Sequence, residues 1–201
     1  MMRSLKIVVM LGYSLWLSGC AAVVITGGTE GAVLVAQERS AGNVVDDAAI
    51  LVKIKGFYAG NDYKDLLANV EIKVIEGRVL LTGNVDKSES QIEAVRLAWQ
   101  VAGVKEVINE VQISDKAGFS NYAQDVWISA QVKSRLLLGK NIRSINYSAI
   151  TVNQTVYLMG IAQDQDELDR ATYMASTTNY VQHVVSYVRL KDDPRRTANA
   201  L

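Results

Sequence analysis

The stretch Val70-Glu71-Ile72-Lys73-Val74-Ile75-Glu76-Gly77-Arg78-Val79-Leu80-Leu81-Thr82-Gly83 decides the fold. Val70, Ile72 and Val74 alternate with polar residues, as a strand with one buried face requires. Glu76-Gly77 turns the chain, and Val79 and Leu81 alternate again, so the stretch reads as a β-hairpin. Helical patterns flank it. Upstream, Ile50, Ile54, Phe57 and Tyr58 recur at helical spacing, with Asn43 or Asp46 placed to cap the start. Downstream, Ser88-Glu89-Ser90-Gln91 fits a capping box, opening a helix with Ala94, Leu97, Ala98 and Val101 on one face. Gly103 ends that helix, and Val107, Asn109, Val111 and Ile113 supply a last strand. The unit is helix, strand, strand, helix, strand.

The unit occurs twice. Asp47, Ile50, Ile54 and Lys55 match Asp125, Ile128, Val132 and Lys133 at an offset of 78. Gly83, Ala94, Ala98, Val104, Val107 and Val111 match Gly160, Ala171, Ala175, Val181, Val184 and Val188 at an offset of 77. The lost residue is expected inside the hairpin turn, where length changes are tolerated. Ile128, Val132 and Leu136 face the second core. Ile150 and Val152 lead to a turn near Asn153-Gln154, followed by Val156 and Leu158. That turn has lost its glycine, but Asn tolerates positive φ. Ala171, Met174 and Ala175 line the next helix, and Val184, Ser186 and Val188 form the final strand. The expected fold is α+β: two tandem αββαβ domains, each a three-stranded mixed sheet packed with two helices.

Composition narrows the function. Apolar residues make up 49% of the 201, enough for a core, and the formal charge is zero. With Arg3 and Lys6 set aside, 19 of the 21 basic residues face 21 acidic ones, a net of −2. That balance argues against a general nucleic-acid binder. Cys20 is the sole cysteine, so neither a disulfide framework nor a cysteine-rich metal site is open to the chain. After Cys20 no apolar run reaches transmembrane length.

Arg3 and Lys6 precede an apolar run from Ile7 to Leu17, and Leu17-Ser18-Gly19-Cys20 closes it. These are the parts of a secretory signal. The four-residue ending resembles the lipobox of bacterial lipoproteins, which implies that Cys20 becomes the first mature residue and carries acyl chains. More than one chain, at about 0.8 kcal/mol per buried methylene, anchors stably. Lipobox and repeat together resemble the dual-BON-domain outer-membrane lipoproteins of Gram-negative envelopes. Gly83 and Gly160 after the second strands, and the Gly103-Val104, Val107, Val111 ending, carry that likeness. Tyr180, where the first repeat has Gly103, departs from it. The resemblance implies a non-enzymatic protein that binds anionic phospholipid, cardiolipin or phosphatidylglycerol, and supports envelope integrity. Ala21 and Ala22 after the cysteine resemble outer-membrane sorting, hence anchorage at the periplasmic face. The expected layout is signal peptide 1–19, lipidated cysteine and flexible tether 20–45, first domain 46–114, linker 115–124, second domain 125–191 and disordered tail 192–201.

No set of residues points to catalysis, a cofactor or a metal. His183 is the only histidine and has no cysteine or second histidine to share a zinc ion with. Asp164, Asp166, Glu167 and Asp169 cluster at a helix start, where negative charge is favourable without any acid–base role. Ser88 reads as a cap. Gly27-Gly28-Thr29-Glu30-Gly31 lacks the Gly-Lys-Ser/Thr ending of a phosphate loop.

The informative asymmetry lies between the repeats. From Val126 to Gln163 there is no Asp or Glu, while Lys133, Arg135, Lys140 and Arg143 are present. The matching first-repeat region carries Asp62, Asp65, Glu71, Glu76 and Asp86. Trp127 and Leu138 sit roughly 120–140° from the Ile128-Val132-Leu136 stripe, where the first repeat has Ala49 and Gly60. The shared fold therefore does not need those side chains. Three readings stay open: an anionic membrane interface, a contact between the repeats, or plain surface. On the first, the lipid-contacting residues are Trp127, Gln131, Lys133, Ser134, Arg135 and Leu138. Trp99, with Ile92 and Val95, lies off its own helix's core stripe and is matched by Ser176. It suits a contact between domains, a partner such as an outer-membrane assembly machine or a cell-wall enzyme, or burial in its own domain.

Overall fold

Ser40 starts the first helix: its Oγ accepts from the backbone N–H of Asn43 at 3.1 Å. Helix α1 then runs Ala41–Tyr58. The computed structural model describes residues 37–60, 64–114 and 119–197. The signal-like segment, Cys20 and most of the expected tether lie outside these. Residues 41–45 are helical, not tether, because Ser40 caps ahead of both expected caps. A short helix α2, Lys64–Asn69, leads into β1, Val70–Ile75. Then come β2, Arg78–Val85; α3, Ser88–Trp99; and β3, Glu106–Ile113. The second repeat has α4, Phe119–Leu138; β4, Tyr147–Val152; β5, Thr155–Ala162; α5, Gln165–Ser176; and β6, His183–Leu190. A 3-10 turn, Ser144–Asn146, precedes β4.

Each repeat builds its own mixed sheet, in the order β1-β2-β3 and β4-β5-β6. The first pair is antiparallel and the second parallel, with β2 and β5 central. Both hairpin turns use two residues at positive φ: Glu76 (55°) with Gly77 (76°), and Asn153 (49°) with Gln154 (63°). Such turns match the twist of the strands they join. A helix carboxylate holds each turn. Asp47 accepts from the N–H groups of Glu76 and Gly77, both at 2.8 Å. Asp125 accepts from those of Asn153 and Gln154, at 2.7 and 2.9 Å. Gly83 and Gly160 are required by close approach. A Cβ there would stand 2.0 Å from Asn69 O and 2.2 Å from Asn146 O.

The helices cover one face of each sheet. Ile54, Tyr58, Val79, Leu81 and Ala98 sit in the first core, and Ile128, Val132, Val156, Leu158 and Ala175 in the second. The opposite faces pack on each other. Ile75, Leu80 and Ile108 meet Ile150, Val152, Tyr157 and Met159 in a third buried cluster. Burial on both faces explains the near-continuous apolar runs of β2 and β5. Polar bonds ring this joint. Glu106 pairs with Arg78 (2.8 Å) beside it and with Arg189 (2.7 Å) of the second repeat. Asn153 Nδ2 donates to Asn84 Oδ1 and Gln112 Oε1 at 2.9 and 2.7 Å. Tyr187 Oη donates to Glu110. Those two residues are equivalent in the repeat, each on the last strand of its sheet.

Four expectations are corrected here. The residue lost between the repeats is not in the hairpin turn, because strands and turns alike are offset by 77; it falls between the first helix and the first strand. The linker residues 119–124 belong to α4, which starts at Phe119. Ser88 does not cap α3; Lys87 occupies that position without a side-chain bond. Residues 192–197 are not a disordered tail. A final turn, α6, spans Pro194–Thr197, and Arg196 pairs with Glu76 at 2.7 Å and donates to Glu38 O at 3.0 Å. The tail is held because its cation finds a first-repeat carboxylate.

Candidate functional site

Helix α4 is amphipathic in an unusual sense. Its inner stripe, Ile128, Val132 and Leu136, is buried. Its outer arc is also apolar: Val126, Trp127, Leu137 and Leu138 are exposed, the last two by 70% and 80%. At 100° per residue, Val126, Trp127, Ala130, Leu137 and Leu138 fall opposite the buried stripe. A solvated helix normally carries polar residues there. Exposed apolar side chains gathered on one element mark a contact surface.

The candidate residues divide by role. Trp127, Ser134, Leu138 and Lys133 are exposed, and Gln131 is half-buried. Arg135 is not a free cation. It donates to Thr177 Oγ1 at 2.9 Å and Thr178 Oγ1 at 3.0 Å, which ties the loop after α5 to α4. Arg143 is committed to Glu38 at 2.6 Å. Lys133 and Lys140 are exposed and form no ion pair among the described residues. Burial first, then Arg39 and Lys133, push the Lys73 ammonium down from its ordinary value, against the opposing pull of Glu71 and Asp47.

Among the described residues, Trp127 meets no residue of the first repeat in a ring contact. Its ring partner is Tyr180, centroids 5.6 Å apart at 64°, an edge-to-face arrangement. Tyr180 was not among the expected site residues. The signal that could have found it was its mismatch with Gly103. Val126 and Leu137 were missed too, although the helical angle alone puts them on the outer arc.

In the first repeat, the place of this aromatic pair is a groove of about 380 Å³ lined by Asp46, Ala49, Lys53, Gly77, Gly103 and Lys105. Ala49 and Gly103 are the residues matched by Trp127 and Tyr180. The first repeat therefore folds without either ring.

The joint between repeats is built without Trp99. Trp99 and Ile92 stay exposed, by 52% and 65%, and Val95 rests on the first core. Neither burial in its own domain nor an interdomain contact describes Trp99. His183 is exposed at the start of β6. The acidic cluster is structural: Asp164 Oδ1 accepts from the N–H of Glu167, whose own carboxylate accepts from Arg143 N and Gln163 N. Among the described residues no helix is long and apolar enough to cross a membrane.

A model of the BON domain matches residues 46–115 and 124–192. The chain is 44% identical over 155 residues to an uncharacterized protein in the gshII 5′ region of Anaplasma centrale, covering 76% of this chain and 99% of that one. It is 30% identical over 187 residues to the outer membrane lipoprotein DolP of Haemophilus influenzae, covering 93% and 96%. It is 28% identical over 152 residues to the osmotically-inducible protein Y of Escherichia coli, covering 75% of each.

Proposed function

Because the chain belongs to the BON-domain family, with two such domains in tandem, we propose that it is a non-enzymatic outer-membrane lipoprotein. Acyl chains on Cys20 hold it at the periplasmic face. Its second domain binds anionic phospholipid and so supports envelope integrity. The observation that carries this reading is the exposed apolar arc of α4, set in a segment without a carboxylate from Val126 to Gln163. Trp and Leu at the interface, with lysine above them, suit a headgroup layer of negative charge. Each basic residue near such a surface contributes on the order of 1 kcal/mol, screened by salt. The likeness to the outer membrane lipoprotein of Haemophilus influenzae supports the outer-membrane and lipoprotein parts.

The test is flotation of the unlipidated Cys20→Ser chain with vesicles. Binding to phosphatidylglycerol or cardiolipin vesicles, and not to phosphatidylcholine alone, is the expected result. Equal flotation with all three, or with none, refutes anionic recognition.

A second reading rests on Ile92 and Trp99, two large apolar side chains left exposed on one face of α3. There the protein is a periplasmic scaffold docking an outer-membrane assembly machine or a cell-wall enzyme. Recovery of one protein partner without lipid, lost on Trp99→Glu, favours it.

A further inference from the structure

We infer that Tyr180 is a second aromatic anchor of the lipid-contacting surface, bracing Trp127 and entering the headgroup layer beside it. This rests on the reading of α4 as the lipid-contacting element.

The backbone argument comes first. The loop before the last strand turns through a positive φ in both repeats: 96° at Gly103 and 69° at Tyr180. The chain path thus requires the left-handed region, where glycine is unstrained and a bulky L residue is an outlier. A tyrosine in that place must be explained by its side chain.

Core packing does not explain it, because Tyr180 is 63% exposed. Its ring contact is Trp127, itself 46% exposed. Shared architecture does not explain it either, since the first repeat has Ala49 and Gly103 in the two places and keeps a groove there. Two rings that the fold does not need stand together on the surface, and Trp127 lies in the segment from Val126 to Gln163 that holds no carboxylate.

Arg135 completes the geometry. Its bonds to Thr177 and Thr178 fasten the loop carrying Tyr180 to the flank of α4, beside the buried stripe. Arg135 is therefore a positioning residue for the aromatic pair. Tyrosine offers an apolar ring with a hydroxyl at its tip, which is what the membrane–water boundary selects. The occupant is an anionic bilayer rather than a protein, because Lys133 borders the apolar arc of α4 without an ion-pair partner among the described residues and no carboxylate occurs from Val126 to Gln163.

The experiment uses the full Cys20→Ser chain with phosphatidylcholine vesicles, with and without phosphatidylglycerol. Tyr180→Gly installs the first repeat's residue. Its urea midpoint is expected at or above the parent's, while its affinity for anionic vesicles falls about tenfold. Because tyrosine is uncharged, the salt dependence of binding stays as in the parent; Lys133→Gln reduces that dependence. Tyr180→Asn, which also tolerates positive φ, gives the same loss. If Tyr180→Gly and Tyr180→Asn bind like the parent while Trp127→Ala does not, the inference is wrong and the α4 reading stands. If both Tyr180 variants lower the urea midpoint, Tyr180 is a structural residue and the inference is likewise overturned. If Trp127→Ala binds like the parent, the α4 reading fails and takes the inference with it.

Discussion

Replacing Asp125 by alanine should loosen the whole second domain. Asp125 is 7% exposed, and its carboxylate accepts from two consecutive backbone N–H groups, Asn153 at 2.7 Å and Gln154 at 2.9 Å. Both turn residues sit at positive φ without being glycine, so the turn needs outside support. Hydrogen bonds to a charged group contribute about 1.5–3 kcal/mol each. The turn is only partly buried, and water recovers part of that, so the net loss is about 3 kcal/mol. With a urea slope of about 2 kcal/mol per molar, the midpoint falls by roughly 1.5 M. Asp125→Asn keeps one acceptor oxygen and should lose about half as much. In the opposite direction, Gln154→Gly copies Gly77 and should gain about 0.5–1 kcal/mol by relieving the left-handed residue. Equilibrium unfolding in urea, followed by far-ultraviolet circular dichroism, reads all three. An Asp125→Ala protein within about 0.5 kcal/mol of the parent would refute the idea that the helix carboxylate holds the hairpin.

Further outcomes follow from the same contacts. Gly160→Ala puts a Cβ 2.2 Å from Asn146 O, so β4 must shift, and the urea midpoint should report a loss of about 2–3 kcal/mol. Glu106→Gln leaves Arg78 and Arg189 facing each other across the joint. It should cost about 1–2 kcal/mol in the same assay, less than for a fully buried pair because Glu106 is partly exposed. Cys20→Ser should move the protein from the membrane fraction to the soluble one on gentle washing of cells; firm retention would refute the anchor.

Much of the fold was legible because periodicity speaks directly about one buried face. Val70, Ile72 and Val74 announce their side of β1, and the Gly83–Gly160 match announces the duplication. The Asn153-Gln154 turn was readable despite the missing glycine, since asparagine accepts positive φ. The joint was not readable. Lys73, Arg78, Glu106 and Glu110 lie on the sheet face that a single-domain reading gives to solvent, yet Arg78 is 5% exposed and donates to Tyr187 O, 109 residues away. Only tertiary packing brings those charges together. The same holds for Arg196, a polar tail residue whose partner Glu76 is 120 residues away. Half of the candidate site was visible from Trp127 against Ala49. Arg135 looked like a membrane cation and is instead bonded to Thr177 and Thr178, which no local pattern reveals.

Flotation of the Cys20→Ser,Trp127→Glu chain with phosphatidylglycerol vesicles measures most directly whether α4 is the lipid-contacting element. Trp127 is about half exposed and the first repeat folds with Ala49 in its place, so the variant should keep the parent's circular dichroism and urea midpoint. It should remain at the bottom of the gradient where the Cys20→Ser parent floats. A folded variant that floats as the parent does would contradict lipid contact through α4.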